Sequence, residues 1–188
     1  MRLSTRTLAA LAILTACGGG TTSPTLIPSG SASFTFTGAG GGTFAATGSA
    51  SDAATTRTYA VAYTNSQDNS IDIQAVQATS ASLSNVLTIV FKGQAAGTGT
   101  VASGCVATST VACNTIAFVI GTPGGSSSSF QCFVTSGSIT VATVSGATAT
   151  GTFSGSGNCI ANTGVSSAFT LTGGTFSAPL TPTTPATL

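Results

Sequence analysis

Three aspartates are the only carboxylate side chains in this sequence. The chain has three acidic residues and no histidine, and the acidic residues are Asp52, Asp68 and Asp72. A Ser-His-Asp or Cys-His nucleophile therefore cannot be assembled, and a carboxylate pair for glycoside hydrolysis would have to come from these three. Each lies in or beside turn-like polar sequence, where aspartates are usually solvated turn residues. We therefore predict that the protein is not an enzyme, with no catalytic residue.

Residues 68–72 contain oxygen ligands of the kind that Ca²⁺ prefers. They lack the carboxylate count and glycine spacing of an EF-hand loop, so we predict no metal site and no cofactor. Asp52, Arg57, Asp72 and Lys92 could form one buried ion pair. Surface pairing is commoner and contributes little to stability.

Four cysteines lie in the body of the chain, Cys105, Cys113, Cys132 and Cys159. Their even number predicts two disulfides if the protein is exported, with three possible connectivities. The preferred pairing joins Cys105 with Cys113 across a short loop, and Cys132 on a strand with Cys159 in a loop at 155–159. A zinc site is disfavoured because the spacings contain no C-x-x-C pair and the chain has no histidine.

The fifth cysteine, Cys17, follows a short basic and apolar leader. Arg2 and Arg6 precede the apolar residues 8–14, a run too short to cross a bilayer as a helix. This arrangement is typical of a targeting segment, and an ordinary secretory signal with a chance cysteine is the alternative.

The sequence Leu14-Thr15-Ala16-Cys17 resembles the lipobox of bacterial lipoproteins. The resemblance implies a lipoprotein signal peptide over residues 1–16, lipid attachment at Cys17 and a lipidated flexible tether over 17–30. Several acyl chains on one residue hold a soluble domain firmly to a membrane. In such lipoproteins an aspartate directly after the lipid-carrying cysteine retains the protein in the inner membrane. Gly18 stands at that position here, so the resemblance implies the outer membrane of the bacterial cell envelope, on either face.

The chain that would remain after cleavage carries very little charge. Its charged residues are three aspartates and two basic residues, Arg57 and Lys92, so its net charge is −1. This distribution lacks the basic patch of a nucleic-acid-binding protein. About 170 residues suffice for one domain with a continuous core.

Alternation of apolar and polar residues is the main structural signal. In residues 31–37, Phe34 and Phe36 would share one sheet face, with serine and threonine on the other. Similar short segments occur at 58–63, 70–76, 87–91, 115–120, 130–134, 138–144, 148–153 and 168–171.

About nine to eleven short strands predict an all-β fold, an antiparallel β-sandwich, with a closed or partly open antiparallel β-barrel as the alternative. Residues 75–86 are the one doubtful stretch, with a possible helical period.

We expect a single domain over residues 31–178 and a Pro/Thr-rich tail over 179–188. The glycine-rich run 38–42 reads as a hairpin connection, which lets Phe34 and Phe36 pair with Phe44. The predicted core consists of Phe34, Phe36, Tyr59, Val61, Ile71, Ile73, Ile89, Phe91, Phe118, Phe133, Phe153 and Phe169.

Two surface patterns suggest binding. Tyr59 and Tyr63 alternate, as a stacking platform for sugars would require, although Val61 on the same face favours the core or its edge. The many Thr-x-Thr phrases suggest a threonine array of the ice-binding or adhesive kind, but no regular repeat would hold it in register.

Similar Thr-Gly phrases occur at 37–38, 150–153 and 172–176, and they are typical of strand–turn sequence rather than of duplicated units. The C-terminal half also contains three strand-like segments, at 137–141, 149–155 and 169–176. Together they resemble the closing strands of uncharacterised bacterial lipoproteins of the DUF6252-like group, which combine a lipobox with a β-rich domain. The resemblance implies an envelope protein and brings no activity or site residue with it.

The leading hypothesis is a non-catalytic cell-envelope lipoprotein that serves as a surface-displayed binding or structural domain. Its partners would be the membrane, through the lipid anchor, and an envelope protein or a glycan. An accessory or scaffold subunit of an envelope complex is the alternative, and an Asp-dependent hydrolase is a distant one.

Overall fold

The computed structural model describes residues 28–38, 41–49, 58–80, 83–103, 113–121 and 130–182. These residues form ten β-strands. They are β1 (Gly30–Gly38), β2 (Gly42–Gly48), β3 (Tyr59–Asn65), β4 (Ser70–Ala78), β5 (Ser84–Lys92), β6 (Gly97–Ala102), β7 (Thr115–Ile120), β8 (Phe130–Ser145), β9 (Thr148–Ala161) and β10 (Ser166–Pro182). In this part of the chain, no helix has the length and apolar character needed to cross a membrane.

The fold confirms the prediction of an all-β, antiparallel architecture, and it is consistent with a β-sandwich. All strand pairs are antiparallel except a short parallel pairing between the end of β10 and β3. The long strands β8, β9 and β10 lie side by side with β9 in the centre. They form the framework to which the shorter strands attach.

On the side away from β9, β10 and β8 each pair with two different strands. β10 pairs first with β1 and then, through Leu180–Pro182, with β3. β8 pairs first with β7 and then, beyond a bulge between Val134 and Ser136, with β6. All ten strands belong to one hydrogen-bonded sheet. Taking these strand switches as the corners of a sandwich, we group β2, β1, β10, β9, β8 and β6 as the first layer and β3, β4, β5 and β7 as the second.

An aromatic cluster joins the two layers. The Phe118 ring on β7 lies 4.8 Å from that of Phe34, 5.1 Å from that of Phe36 and 5.7 Å from that of Phe44, measured between centroids. Phe34 and Phe44 stack on each other across the β1–β2 hairpin at 4.9 Å. The hairpin predicted from the glycine-rich run is therefore present, and its aromatic residues form the centre of the core.

Several boundaries differ from those predicted. β6 was not expected, because it is short and half of its six residues are Gly or Ala, which are depleted in strands. Segments 130–134 and 138–144 are one strand, β8, interrupted only by bulges. The described residues of the stretch 75–86 form no helix, since β4 continues to Ala78 and β5 begins at Ser84.

The C-terminal boundary also moves. β10 continues to Pro182, so the folded domain extends beyond residue 178 and the predicted tail begins too early. Pro179 is buried and the Leu180 N–H donates to the Ala147 carbonyl at 2.7 Å. Pro179 is the last residue of β10 paired with β9, and Pro182 is the last paired with β3, so each proline lies where a ladder of strand hydrogen bonds ends.

The predicted core is buried apart from two side chains. Tyr59 is half-buried at the edge of β3. Phe133 is wrong as a core residue, since 37% of its surface is exposed. Its neighbours Cys132 and Val134 are 2% and 4% exposed and face the interior, so the period-2 alternation of β8 turns Phe133 outward.

Candidate functional site

The charged residues of the described chain meet at the β3–β4 turn. Asp68 lies in the turn, Ser70 and Asp72 lie two residues apart on β4, and Lys92 ends β5 directly opposite Ser70. Residues two apart on a strand share a face. Strand alternation and the β4–β5 register therefore bring these four side chains together.

The Ser70 hydroxyl is the centre of this cluster. Its Oγ lies 2.8 Å from Asp68 Oδ1 and 2.7 Å from Asp72 Oδ1, and Ser70 is fully buried. The Lys92 Nζ donates to Asp68 Oδ2 at 2.7 Å. The four side chains form one continuous row, Lys92–Asp68–Ser70–Asp72.

The two carboxyl groups have pKa values displaced in opposite directions. Burial raises the pKa of Asp72, and the nearby Asp68 charge adds to this effect, against hydrogen bonds from Ser70 and Asn65. Slight burial also acts to raise the pKa of Asp68, but hydrogen bonds from Lys92 and Ser70 and the Lys92 charge bring it below its ordinary value. Asp72 therefore keeps its proton to a higher pH than Asp68 does.

The placement of these residues corrects two expectations. Lys92 pairs with Asp68 rather than with Asp72, and 44% of the Asp68 side chain is exposed. Asp72 is a half-buried strand residue rather than a solvated turn residue. Asp52 and Arg57 lie outside the described residues.

The carboxyl cluster differs from the carboxylate pair of a glycosidase. Opposed pKa shifts are typical of an acid–base pair, but here the Ser70 hydroxyl occupies the space between the two carboxyl groups. A substrate bond would have to lie in that space. Nowhere in the described residues do three metal-binding side chains of the His, Cys, Asp or Glu type cluster.

Both cysteines of one disulfide lie in the described part of the chain. Cys132 and Cys159 are bonded, with an S–S distance of 2.00 Å, and they lie directly opposite each other on β8 and β9. This is the pairing preferred from the sequence, but residues 155–159 are strand and not loop. Cys113 is also disulfide-bonded. Cys105 and Cys17 lie outside the described residues, so the Cys105–Cys113 bridge stays a prediction.

The outer face of the first layer is covered with hydroxyl groups. One row crosses five neighbouring strands through directly paired residues, and its members are Ser33, Thr175, Thr152, Thr140 and Thr98. Cross-strand hydroxyl contacts within it measure 3.1 Å for Ser33–Thr175 and 3.0 Å for Thr98–Thr140. We call this surface the hydroxyl face. It shows that strand register, rather than a sequence repeat, can align threonines.

Phe133 interrupts the hydroxyl face at one end. It lies opposite Ala117 on β7 and Asn158 on β9, while the adjacent Gln131 lies opposite Ile160. Gln131 and Asn158 are exposed, and their side chains make no hydrogen bond to another described residue. We call these four residues, Gln131, Phe133, Asn158 and Ile160, the Phe133 platform.

The tyrosine pair takes a different position from this platform. Tyr59 and Tyr63 lie on β3 in the second layer, opposite Val76 and Asp72. Both are partly buried and less exposed than Phe133, and burial raises the pKa of each phenol. Their rings are therefore less open than a stacking platform requires.

Phe133 was predicted as a core residue because it is a large apolar residue within the strand-like segment 130–134. The alternation in β8 separates Phe133 from Cys132 and Val134, and the structure turns Cys132 and Val134 toward the core. No family model matches this chain, and no curated protein and no solved structure matches it either.

Proposed function

We propose that this protein is a non-catalytic lipoprotein of the bacterial cell envelope, anchored through Cys17, whose domain binds a neutral glycan at the Phe133 platform. The observation that carries the proposal is an exposed aromatic ring between two exposed carboxamides on an uncharged sheet face. The lipobox resemblance supports the anchor, and the structure describes no residue of that segment.

The chemistry of the face favours a neutral ligand. The charged side chains of the described residues, Asp68, Asp72 and Lys92, all lie in the second layer or its β3–β4 turn. An acidic or basic partner would find no opposite charge on the hydroxyl face. A neutral partner loses no ionic hydration on binding there.

The platform suits a sugar ring better than a protein surface. The face of an aromatic ring is electronegative and attracts the weakly positive C–H groups of a sugar. Gln131 and Asn158 each offer hydrogen-bond donors and an acceptor for hydroxyl groups. A stable protein interface buries about 800 Å² on each partner, far more than one ring that exposes 37% of its surface.

The platform also points away from the predicted anchor. The tether would enter β1, whose first residues pair with Gly48 and Ser177. Asn158 of the platform pairs with Ala168 at the other end of β10, about 30 Å away at ~3.3 Å per residue. An anchored domain can therefore present the platform to ligands beyond the membrane surface.

A glycan array with neutral and acidic glycans tests the proposal. We expect the wild-type domain to bind neutral glycans, and Phe133→Ala to bind them at least about tenfold more weakly, a loss of ~1.4 kcal/mol. Asn158→Ala should also weaken binding. Val165→Ala removes an exposed apolar side chain of the β9–β10 turn, outside the platform, and is the matched control.

Two outcomes would contradict the glycan proposal. One is a wild-type domain that binds no neutral glycan on the array. The other is a Phe133→Ala domain that binds as tightly as wild type while its far-UV circular dichroism shows the same fold.

The scaffold alternative has one structural observation in its favour. In the described residues, β2 pairs with β1 alone, and its sequence carries no charge or proline to block edge pairing. A partner strand could add to this edge. Such an assembly should be unaffected by Phe133→Ala, which separates it from glycan binding.

A further inference from the structure

If both carboxyl groups are ionised, the Lys92–Asp68–Ser70–Asp72 row has one hydrogen atom too few for its short contacts. The Ser70 hydroxyl has one hydrogen, yet its Oγ lies within 2.8 Å of a carboxyl oxygen on each side. An ionised carboxylate can only accept. With both aspartates charged, one of the two short contacts would join two acceptors without a hydrogen.

One added proton supplies the hydrogen atom that the row lacks. Asp72 Oδ1–H then donates to Ser70 Oγ, Ser70 Oγ–H donates to Asp68 Oδ1, and Lys92 Nζ–H donates to Asp68 Oδ2. Each of the three contacts receives one hydrogen, and Asp68 stays ionised beside the ammonium group.

The surroundings place the proton on Asp72. From β3, Tyr63 lies directly opposite Asp72, and the Asn65 side chain hydrogen-bonds its carboxyl group. From β5, the residue opposite is Val90, with Lys92 two residues along but paired to Asp68. Tyr59, four residue pairs along β3 from Tyr63, is the other tyrosine on this face. No cation in the described residues pairs with Asp72.

We propose that Asp72 holds a proton in the folded domain at pH values where an exposed aspartate has lost it, and that this proton locks the β3–β4 turn to β4 and β5. The inference does not depend on the lipid anchor or on glycan binding.

The lock extends beyond the carboxyl groups. The Gly93 N–H donates to the Asn69 carbonyl at 2.7 Å, and the Gln94 amide donates to the Asn65 carbonyl at 3.0 Å. The turn is thereby fastened to the connection between β5 and β6. Ionisation of Asp72 would leave two carboxylates competing for one hydroxyl hydrogen and would loosen this corner.

The two aspartates make opposite contributions to the pH dependence of stability. The folded-state pKa of Asp72 is raised by burial, so its contribution is full below the unfolded pKa of about 3.9 and is lost as the pH rises through the folded value. The pKa of Asp68 is lowered, so its contribution is present above about 3.9 and is lost as the pH falls through its folded value.

Carboxyl carbon NMR during a pH titration of the wild-type domain tests the proton directly. We expect the Asp72 carboxyl to titrate above about 3.9 and later than Asp68. In Asp68→Asn, the Asp72 midpoint should fall, since the neighbouring charge is gone and the Ser70 hydrogen is free to bond Asp72. An Asp72 carboxyl that titrates at or below the ordinary value would overturn the proposal.

Asp72→Asn provides the second measurement, because its amide can donate to Ser70 Oγ as the protonated acid does. The urea midpoint of wild type should fall relative to that of Asp72→Asn as the pH rises through the Asp72 titration, with the two closest at low pH. Parallel pH profiles would contradict the lock. If Asp72→Asn does not fold, the wild-type NMR titration still decides.

Discussion

Phe118 packs at the contact between the two layers. It is 1% exposed and contacts three other phenylalanine rings, all from the β1–β2 hairpin of the opposite layer. Edge-to-face ring pairs stabilise beyond their buried area, by about 0.5–1.5 kcal/mol each. Its contribution therefore depends on a hairpin that is far from it in sequence.

Phe118→Ala should lower the free energy of unfolding by about 3–5 kcal/mol, because the remaining rings cannot collapse into the space. Urea denaturation followed by circular dichroism measures the change. Phe118→Leu should cost less, and Phe133→Ala less still, since Phe133 is on the surface. Equal losses for Phe118→Ala and Phe133→Ala would show that the cluster is not the centre of the core.

At the scale of the strands, β9 and β10 interlock through two reciprocal phenylalanine–glycine pairs. Phe176 lies opposite Gly151 and Phe153 lies opposite Gly174. A Cβ on Gly151 would come within 2.5 Å of the Phe176 ring, and one on Gly174 within 2.7 Å of the Phe153 ring. The similar Thr-Gly phrases of the sequence therefore have a common packing reason, in which each glycine makes room for the other strand's ring.

Gly151→Ala should destabilise the domain by about 1–3 kcal/mol, because the added methyl group meets both the Phe176 ring and the Thr140 carbonyl. Thermal unfolding gives the measurement. Gly97→Ala on β6 is the matched control, since its Cβ would meet only Phe91 at an ordinary 3.6 Å. A Gly151→Ala domain as stable as Gly97→Ala would refute the interlock.

At the scale of the whole molecule, the two sheet layers have different outer surfaces. The first layer presents the hydroxyl face and the Phe133 platform, without a charged residue in its described strands. The second layer carries the carboxyl row and the tyrosines. If the domain is anchored through the residues before β1, both surfaces are exposed. The disulfide between β8 and β9 then lies near the end of the domain far from the anchor.

Intact mass of the protein from bacterial membranes, with thiol alkylation before and after reduction, tests the anchor and the disulfides together. We expect a chain that begins at an acylated Cys17, with four thiols that react only after reduction. An unlipidated mass would contradict the lipoprotein assignment. Thiols that react without reduction would contradict the second, undescribed bridge or the oxidising compartment.

Most of the fold class was readable from the sequence because strand alternation is a local property. Segments such as 31–37 and 115–120 predict their own strands and their buried faces. β6 was not predicted because its glycine-rich sequence forms a strand only when a neighbouring strand, here β8, supplies hydrogen bonds. Phe133 escaped because which parity faces the core is decided by the partners of β8.

By its residue types alone, the sequence determined that no histidine chemistry is possible, that charge is scarce and that the chain forms strands. Only the tertiary structure decided which side chains meet. The carboxyl row depends on the β4–β5 register, and the hydroxyl row on pairings across five strands. The physical reason is that alternation fixes a residue's face locally, whereas its neighbours on that face come from distant segments brought together by sheet pairing.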